Sequence, residues 1–439
     1  MAAFRIEARE LSLNEIGDAL AVPIDRIGDD CEVGGDGGKV DRSHDFRLGH
    51  ALTSLCPNIT VPVQLPCGLC RKLRELGRLG SVAFRVVTRV PVRADLSLME
   101  GYHSPQVDVD VRLNTNEAPV GPPDAFVADY LESVSKISWN RYPDRSAREL
   151  RASIAALHDV SPEMVFPANG SNEVLQTLLL TFAGPGRKVL TFEPTYQLHG
   201  HIARISGAEV VEGERCRDFT IDEDAMQSLL KEQSPHITFL CSPNNPTGTV
   251  DAPSTVRAAL ASSTGLVAVD EAYGQFAPWS ALDLVDEETP LVVVRTFSKT
   301  WSMAAARLGY LIGPRWLVAE LDKVVLPYHL DAAKQIAGVI AVRYRNEMDA
   351  RVADLISERT RLSAGLRRLD VDVFDSGANF VLFRPRAMQG RRVWQGLLDR
   401  RVLVRDCSSW PRLENCLRVT IGTEQENDIF LERLTEVLS

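Results

Sequence analysis

Apolar runs of strand length alternate with longer, helix-patterned segments through the middle of the chain, and this alternation constrains the fold more than any other feature. It is typical of an α/β domain, in which helices surround a largely parallel sheet. We therefore predict the α/β fold class. The runs are RKVLTF (187–192), HITFLC (236–241), LVAVD (266–270), LVVVR (291–295) and LGYLIG (308–313).

Turn-rich connections follow the first four of these runs. In open α/β sheets, ligands bind at the edge where the carboxyl ends of the strands lie. We therefore expect these four connections to carry the functional site. They are EPTY (193–196), SPNNPTG (242–248), EAYG (271–274) and TFSKTW (296–301).

The order of elements changes beyond Asp331, where a long helical pattern extends to about Leu369. Strands are predicted next at ANFVLF (378–383), VLVRDC (402–407) and CLRVTI (416–421), followed by a closing helix at 424–438. This order predicts a smaller α+β domain. The predicted parts are an N-terminal extension (1–92), an arm that joins the small domain (93–140), a large domain (141–330) and a small C-terminal domain (331–439).

The first 98 residues have no apolar period that persists beyond about ten residues, so we expect a poorly ordered extension rather than an independent core. Residues 11–27 are similar to the first half of a DNA-binding helix-turn-helix, but no recognition helix follows. Four cysteines are candidate zinc ligands, yet only the CGLC pair has ligand spacing, so we interpret them as reduced thiols and predict no metal. They are Cys31, Cys56, Cys67 and Cys70.

The net charge of −10 argues against nucleic acids and anionic membrane surfaces as partners. The charge lies entirely after Leu98, because the preceding segment has equal numbers of basic and acidic residues. No apolar run reaches the length of a membrane span, and Glu7 and Glu10 do not suit a signal peptide. We therefore expect a cytoplasmic protein.

The strongest chemical signal is Lys299, which directly follows a buried strand in TFSKTW. Desolvation and a nearby cation would lower its pKa and free the amine to form a Schiff base with a carbonyl-bearing cofactor. Arg307 follows eight residues later, where its guanidinium suits a phosphate beside the hydroxyls of Thr296 and Ser298. The alternative for Lys299 alone is a solvated surface lysine.

Asp270 ends an apolar strand, where a carboxylate is costly unless it is paired. A protonated pyridine nitrogen would pair it and keep the ring an effective electron sink. Tyr273 and Asn245 supply a hydroxyl and an amide that suit the phenolic oxygen of the same ring. Taken singly, Asp270 is equally explained by a helix N-cap or a loop salt bridge, and Asn245 by a plain turn.

Gly170, Ser171 and Asn172 precede an amphipathic helix, whose free N–H groups and dipole favour a phosphate. The alternative is a plain helix cap. Tyr196 suits stacking on a flat heteroaromatic ring, with half-buried packing as its alternative. Because these signals coincide at strand ends and helix starts of one α/β domain, we interpret them jointly as one cofactor site.

Residues 93–439 resemble the fold-type I pyridoxal-5′-phosphate aminotransferases of the class-II aminotransferase family, on the motifs SPNNPTG, DEAY and TFSKTW. The resemblance implies a large domain with a mostly parallel sheet between helices, plus a smaller α+β domain. It implies that Lys299 is the Schiff-base lysine, that Asp270 pairs with the pyridinium nitrogen and that Tyr196 stacks on the ring. Asn245 and Tyr273 would contact the ring oxygen. The implied phosphate ligands are Ser171, Asn172, Ser298 and Arg307.

Within that family, residues 99–119 and 402–423 are similar to the histidinol-phosphate group. The similarity implies that Tyr102 approaches the substrate phosphate, that Asn116 and Glu117 line the site, and that two arginines bind substrate anions. These arginines are Arg405 and Arg418, of which Arg418 would take an α-carboxylate. Tyr142, in WNRYPD, matches the tyrosine that reaches the phosphate of the neighbouring subunit, which implies a homodimer.

The resemblance therefore implies a ping-pong transamination of L-histidinol phosphate and 2-oxoglutarate to imidazole-acetol phosphate and L-glutamate, a step of histidine biosynthesis. The main alternative is an aromatic amino-acid aminotransferase, which would use phenylalanine. Two others are a phosphothreonine-type decarboxylase of related fold and a transcription regulator that senses the cofactor.

Overall fold

Two separate sheets carry the strands of the computed structural model, which describes residues 92, 93, 95, 96, 101 and 106–439. The elements reported below belong to the unit Ala94–Ser439, whereas the unit Met1–Arg93 falls almost wholly outside the described residues. The helix-turn-helix candidate, the four N-terminal cysteines and Tyr102 also lie outside them.

The secondary structure alternates through most of the chain. The strands are β1 (Val111–Leu113), β2 (Val165–Ala168), β3 (Lys188–Glu193), β4 (Glu209–Glu214), β5 (Ile237–Cys241), β6 (Leu266–Asp270), β7 (Leu291–Thr296), β8 (Gly309–Ile312), β9 (Val371–Val373), β10 (Phe380–Pro385), β11 (Val402–Asp406) and β12 (Leu417–Thr420). The helices are α1 (Asp124–Val134), α2 (Arg148–His158), α3 (Gly170–Phe182), α4 (Leu198–Ser206), α5 (Glu223–Gln233), α6 (Pro253–Ser262), α7 (Arg315–Val324), α8 (Ala332–Arg343), α9 (Arg345–Leu366), α10 (Gly390–Asp399) and α11 (Glu424–Leu438).

The larger sheet has seven strands in the order β2-β8-β7-β6-β5-β3-β4. Strands β3 to β7 run parallel, and β8 is antiparallel to both of its neighbours. Alternate residues of each strand face two apolar layers; in β7, for example, Val292 and Val294 face one layer, and Leu291 and Val293 face the other. The five predicted apolar runs form β3, β5, β6, β7 and β8, so the predicted α/β class is confirmed.

The smaller sheet has five strands in the order β1-β11-β12-β10-β9. It is antiparallel except for the β1–β11 pair, and α10 and α11 pack beside it. The three predicted C-terminal strands form β10, β11 and β12, and the closing helix has the predicted bounds. The long helical pattern is divided at Tyr344, whose hydroxyl donates to Asp129. The domain boundaries at residues 92, 140 and 330 stay predictions.

No helix in the described part of the chain is both long enough and apolar enough to cross a membrane.

A buried ion pair fixes the segment that follows β5, which includes Asn245. Arg215 directly follows β4, and its guanidinium donates to both carboxylate oxygens of Asp251 at 2.6 and 2.9 Å. Both side chains are at most 1% exposed. Arg215 also donates to the carbonyls of Phe219 and Cys241. The pair therefore ties the end of β4 to the chain on either side of SPNNPTG.

We expect Arg215→Ala to lower the free energy of unfolding by about 3–5 kcal/mol, because it leaves the Asp251 carboxylate buried without its partner. The matched control is Arg204→Ala, because the Arg204–Glu212 pair is about half exposed. That variant should lose less than about 1 kcal/mol. Urea unfolding of both variants measures the difference, and equal losses would show that burial does not determine the strength of these pairs.

Candidate active site

One cavity lies where the carboxyl ends of the parallel strands approach the smaller sheet. The four predicted connections all contribute to it, because β3, β5, β6 and β7 end at the same edge of their sheet. Twelve of the predicted site residues line it. They are Asn116, Ser171, Asn172, Tyr196, Asn245, Asp270, Tyr273, Thr296, Ser298, Lys299, Arg307 and Arg418.

Lys299 is a partly buried amine in this cavity. Its Nζ donates to the carbonyl of Thr115 at 3.1 Å and lies 5.7 Å from the centroid of the Tyr273 ring. Among the described residues, no carboxylate forms an ion pair with it. Burial, helped by the charge of Arg418, lowers the pKa of Lys299 to about 7. Near neutral pH, Lys299 is therefore a neutral nucleophile in a large fraction of the molecules.

Asp270 presents a buried carboxylate from the end of β6. It is 2% exposed, and its two oxygens accept from the backbone N–H of Ala272 at 3.0 Å and from His199 Nε2 at 2.9 Å. In this contact Nε2 of His199 donates and the carboxylate oxygen of Asp270 accepts. The imidazole stacks on Phe239 at 4.5 Å between ring centroids, which fixes its plane. Asp270 is thus held in one orientation as an acceptor.

A buried network places the hydroxyl of Tyr273 and the amide of Asn245. Tyr273 Oη accepts from Asn116 Nδ2 at 2.9 Å, so its own proton is left to donate. Burial raises the pKa of Tyr273 to about 12, which keeps that proton in place at neutral pH. Asn245 Oδ1 accepts from Arg418, whose other terminal nitrogen donates to the carbonyl of Asn114 at 3.0 Å. Arg418 is 5% exposed and held rigidly.

The N-terminus of α3 and Arg307 form an anion-binding corner. Gly170 begins the helix with φ +79°, and a Cβ there would lie 2.9 Å from Arg307 Nη2. Arg307 Nη1 donates to Ser298 Oγ at 3.2 Å. Among the described residues, no side chain caps the first turn of α3. Its N–H groups, the Ser298 hydroxyl and the guanidinium therefore suit a phosphate group.

Tyr196 and Thr296 complete the predicted lining of the cavity, and this lining suits a flat ring. The Tyr196 hydroxyl donates to Asn172 Oδ1 at 3.1 Å, which holds the phenol ring beside the helix terminus. Thr296 accepts from the backbone N–H of Ser298 at 3.1 Å, so it shapes the turn before Lys299. These groups therefore fit pyridoxal phosphate. The carboxylate suits the ring nitrogen, the hydroxyl and amide suit the ring oxygen, the amine suits the carbonyl, and the anion-binding corner suits the phosphate.

Four described residues of the predicted site do not line the cavity. Gly170 lies directly behind Ser171 in the anion corner. Glu117 accepts from the Thr115 hydroxyl at 2.8 Å on the protein surface. The guanidinium of Arg405 lies 5.6 Å from the centroid of the Trp410 ring. Tyr142 is 81% exposed and stacks on Tyr328.

Three of the residues that sequence reasoning missed make contacts that shape the site. His199 contacts Asp270, Thr115 accepts from Lys299, and Trp410 lines the cavity. A single histidine in a helix and a backbone carbonyl give no pattern in a sequence. Trp410 lies in the VLVRDCSSWP segment, in which only Arg405 was predicted to belong to the site.

Comparison with known proteins gives consistent matches. Residues 109–434 match the family model described as aminotransferase class I and II. The chain is 40% identical over 358 residues to a histidinol-phosphate aminotransferase of Corynebacterium diphtheriae, covering 79% of this chain and 96% of that protein. It is 44% identical over 361 residues to one of Streptomyces avermitilis, covering 79% and 96%.

The fold is also similar to that of a solved structure, the histidinol-phosphate aminotransferase from Sinorhizobium meliloti in complex with pyridoxal-5′-phosphate. The TM-score is 0.70 at 21% sequence identity, over 75% of this chain and 91% of the other. At that identity the likeness supports the fold alone.

Proposed function

Because this chain belongs to the class I and II aminotransferases, and within them to the histidinol-phosphate aminotransferases, we propose that it transfers the amino group of L-histidinol phosphate to 2-oxoglutarate. The products are imidazole-acetol phosphate and L-glutamate, and the reaction is a step of histidine biosynthesis. One observation carries the proposal: a partly buried lysine and a buried carboxylate share one cavity with two arginines.

The cofactor is pyridoxal phosphate, which when bound supplies a carbonyl for the substrate amine and a ring that withdraws electrons from the reacting carbon. Asp270 would pair with the ring nitrogen and keep it protonated, since the carboxylate is buried and fixed by His199. Tyr273 and Asn245 would donate to the ring oxygen, and Tyr196 would stack on the ring. Gly170, Ser171, Asn172, Thr296, Ser298 and Arg307 form the phosphate corner.

Lys299 has two tasks in the proposed mechanism. Its neutral Nζ would hold the cofactor through the cofactor's carbonyl, and when free the same nitrogen would take and hold the proton from the amino-bearing carbon of the donor. The carbonyl of Thr115, 3.1 Å away, holds the amine in the cavity between these steps. A second substrate, 2-oxoglutarate, reverses the sequence.

Arg418 is positioned for the carboxylate of glutamate and 2-oxoglutarate. The guanidinium is buried between Asn245 and the carbonyl of Asn114, and its Nε has no partner among the described residues. A buried cation whose donors are not all used favours an anionic ligand. We propose Arg405, Asn116, Glu117 and Tyr102 as further substrate-side residues of the same site.

An exposed aromatic surface supports the proposed homodimer. Trp139 and Tyr142 are 79% and 81% exposed, and Tyr142 stacks on Tyr328 at 4.5 Å between ring centroids. Exposed apolar patches of this kind mark protein interfaces. We propose that Tyr142 crosses to the phosphate of the partner subunit and that the enzyme works in the cytoplasm.

The lowered pKa of Lys299 predicts how reconstitution of the apoenzyme depends on pH. The neutral amine is the reactive form, so the rate of pyridoxal phosphate binding should rise about tenfold from about pH 6 to about pH 8 and then level off. An ordinary lysine would give a rise of about 100-fold over that range with no plateau. Stopped-flow absorbance of the apoenzyme mixed with the cofactor measures the profile, and a rise that continues to high pH would contradict a pKa of about 7.

The substrate proposal is tested by steady-state turnover with 2-oxoglutarate as acceptor. We expect kcat/KM for L-histidinol phosphate to exceed that for L-phenylalanine by at least about 100-fold, because a phosphate gains charge-assisted bonds that phenylalanine lacks. A preference for phenylalanine would favour an aromatic amino-acid aminotransferase. Release of carbon dioxide without an acceptor would favour the decarboxylase.

A further inference from the structure

The cavity is lined from two sides that belong to different sheets. The residues proposed to hold the cofactor of the same subunit lie at the start of α3, at the ends of strands of the seven-stranded sheet and on the connections that follow these strands. The other side comes from the five-stranded sheet and its neighbouring segments, through Thr115, Asn116, Trp410 and Arg418. A donor that reaches the cofactor carbonyl near Lys299 therefore meets this second side.

Trp410 gives that side its aromatic surface. Of the described residues that line the cavity, three are aromatic, and the other two, Tyr196 and Tyr273, belong to the cofactor side. The Arg405 guanidinium lies 5.6 Å from the centroid of the Trp410 ring, but Arg405 does not itself line the cavity. The indole, rather than this guanidinium, is therefore the surface that a ligand in the cavity meets.

The segment that carries Trp410 is fixed at both ends. The backbone N–H of Cys407 donates to the carbonyl of Cys416 at 3.0 Å, and that of Trp410 donates to the carbonyl of Cys407 at 3.0 Å. Arg412 donates to the carbonyl of Arg215, at the end of β4. Both cysteines are fully buried in an apolar cluster against which Trp410 packs. The indole is thus held in place before a ligand binds, which lowers the entropic cost of binding.

We propose that Trp410 determines donor specificity by stacking on the flat ring of the amino donor, an inference that rests on the proposed function. Paired aromatic rings gain free energy beyond the burial of their area, and the imidazole of L-histidinol phosphate supplies such a ring. L-Glutamate has no ring, and its carboxylate is taken by Arg418. In addition to its proposed place on the substrate side, Arg405 acts as a positioning residue, because its cation–π contact holds the indole plane.

The test compares two donors on the holoenzyme of each variant. Trp410→Ala should lower kcat/KM for L-histidinol phosphate about tenfold to thirtyfold, mainly by raising KM, and should lower kcat/KM for L-glutamate much less. Trp410→Phe keeps a flat ring and should recover most of the selectivity. Equal losses for both donors, or no recovery in Trp410→Phe, would overturn the proposal. Thermal unfolding of each variant separates a folding defect from a change in selectivity.

Failure of the proposed function gives a different result from failure of this inference. A wild-type enzyme that does not turn over L-histidinol phosphate refutes the proposed substrate before any variant is made. In that case L-phenylalanine replaces it as the ring-bearing donor, and the ratio to L-glutamate still tests Trp410. A ratio that does not change in Trp410→Ala would then refute the stacking role.

Discussion

Replacing Lys299 with alanine is expected to lower kcat by about 10⁴-fold, because the site loses both its nucleophile and the base that moves the substrate proton. Lys299 is the one lysine among the described residues that line the cavity, so no neighbouring amine takes its place. Its Nζ donates a hydrogen bond to the carbonyl of Thr115, which lies on the side of the cavity that a donor meets. The measurement is the single-turnover rate with L-histidinol phosphate at saturating cofactor.

Two controls separate the chemistry of Lys299 from its charge. Lys299→Arg keeps a cation, but a guanidinium does not deprotonate and should be as inactive as alanine. Lys323→Ala removes an exposed lysine paired with Glu320 and should leave kcat unchanged. A folded Lys299→Ala enzyme that retains most of the wild-type kcat would contradict the assignment.

The second large effect is expected from Asp270→Asn, which keeps the shape of the side chain and removes its charge. The ring nitrogen of the cofactor would then lose its proposed partner in a buried site. Breaking such a pair costs about 3–5 kcal/mol, which corresponds to about 150- to 5,000-fold in rate if the cost falls on the transition state. The residue is 2% exposed, so water does not replace the lost interaction.

Asp270→Glu is the matched variant, because it keeps the charge and moves it by one methylene. We expect its kcat to lie between those of the wild type and Asp270→Asn. The rate and the affinity for pyridoxal phosphate should fall together in Asp270→Asn, since the same contact serves both. Wild-type kcat in Asp270→Asn would show that the carboxylate does not hold the ring nitrogen.

The sequence predicted the central strands of both sheets and missed their edges. Strands β3 and β5 to β8 are buried on both faces and therefore appear as continuous apolar runs. All four missed strands lie at sheet edges: β1 and β9 in the smaller sheet, and β2 and β4 in the larger. β4 carries three glutamates and β2 contains Pro167, features that edge strands tolerate and that hide them from an apolar pattern.

The site could be predicted as far as its residues lie in motifs at strand ends. Asp270 ends β6, and Lys299 and Asn245 lie within four residues of the ends of β7 and β5, so the parallel sheet brings them together. His199 reaches the site from α4, and Trp410 reaches it from the segment between β11 and β12. In both cases the direction of the side chain depends on tertiary packing. Tyr142 is exposed, and its predicted role depends on a second subunit.

The central claim is tested most directly by one half-reaction of the holoenzyme, without any 2-oxo acid. On addition of L-histidinol phosphate, we predict that the absorbance of the lysine-bound cofactor disappears and that one imidazole-acetol phosphate forms per active site. Addition of 2-oxoglutarate should restore the absorbance and release an equal amount of L-glutamate. Unchanged absorbance with L-histidinol phosphate, or its loss with L-phenylalanine alone, would contradict the account.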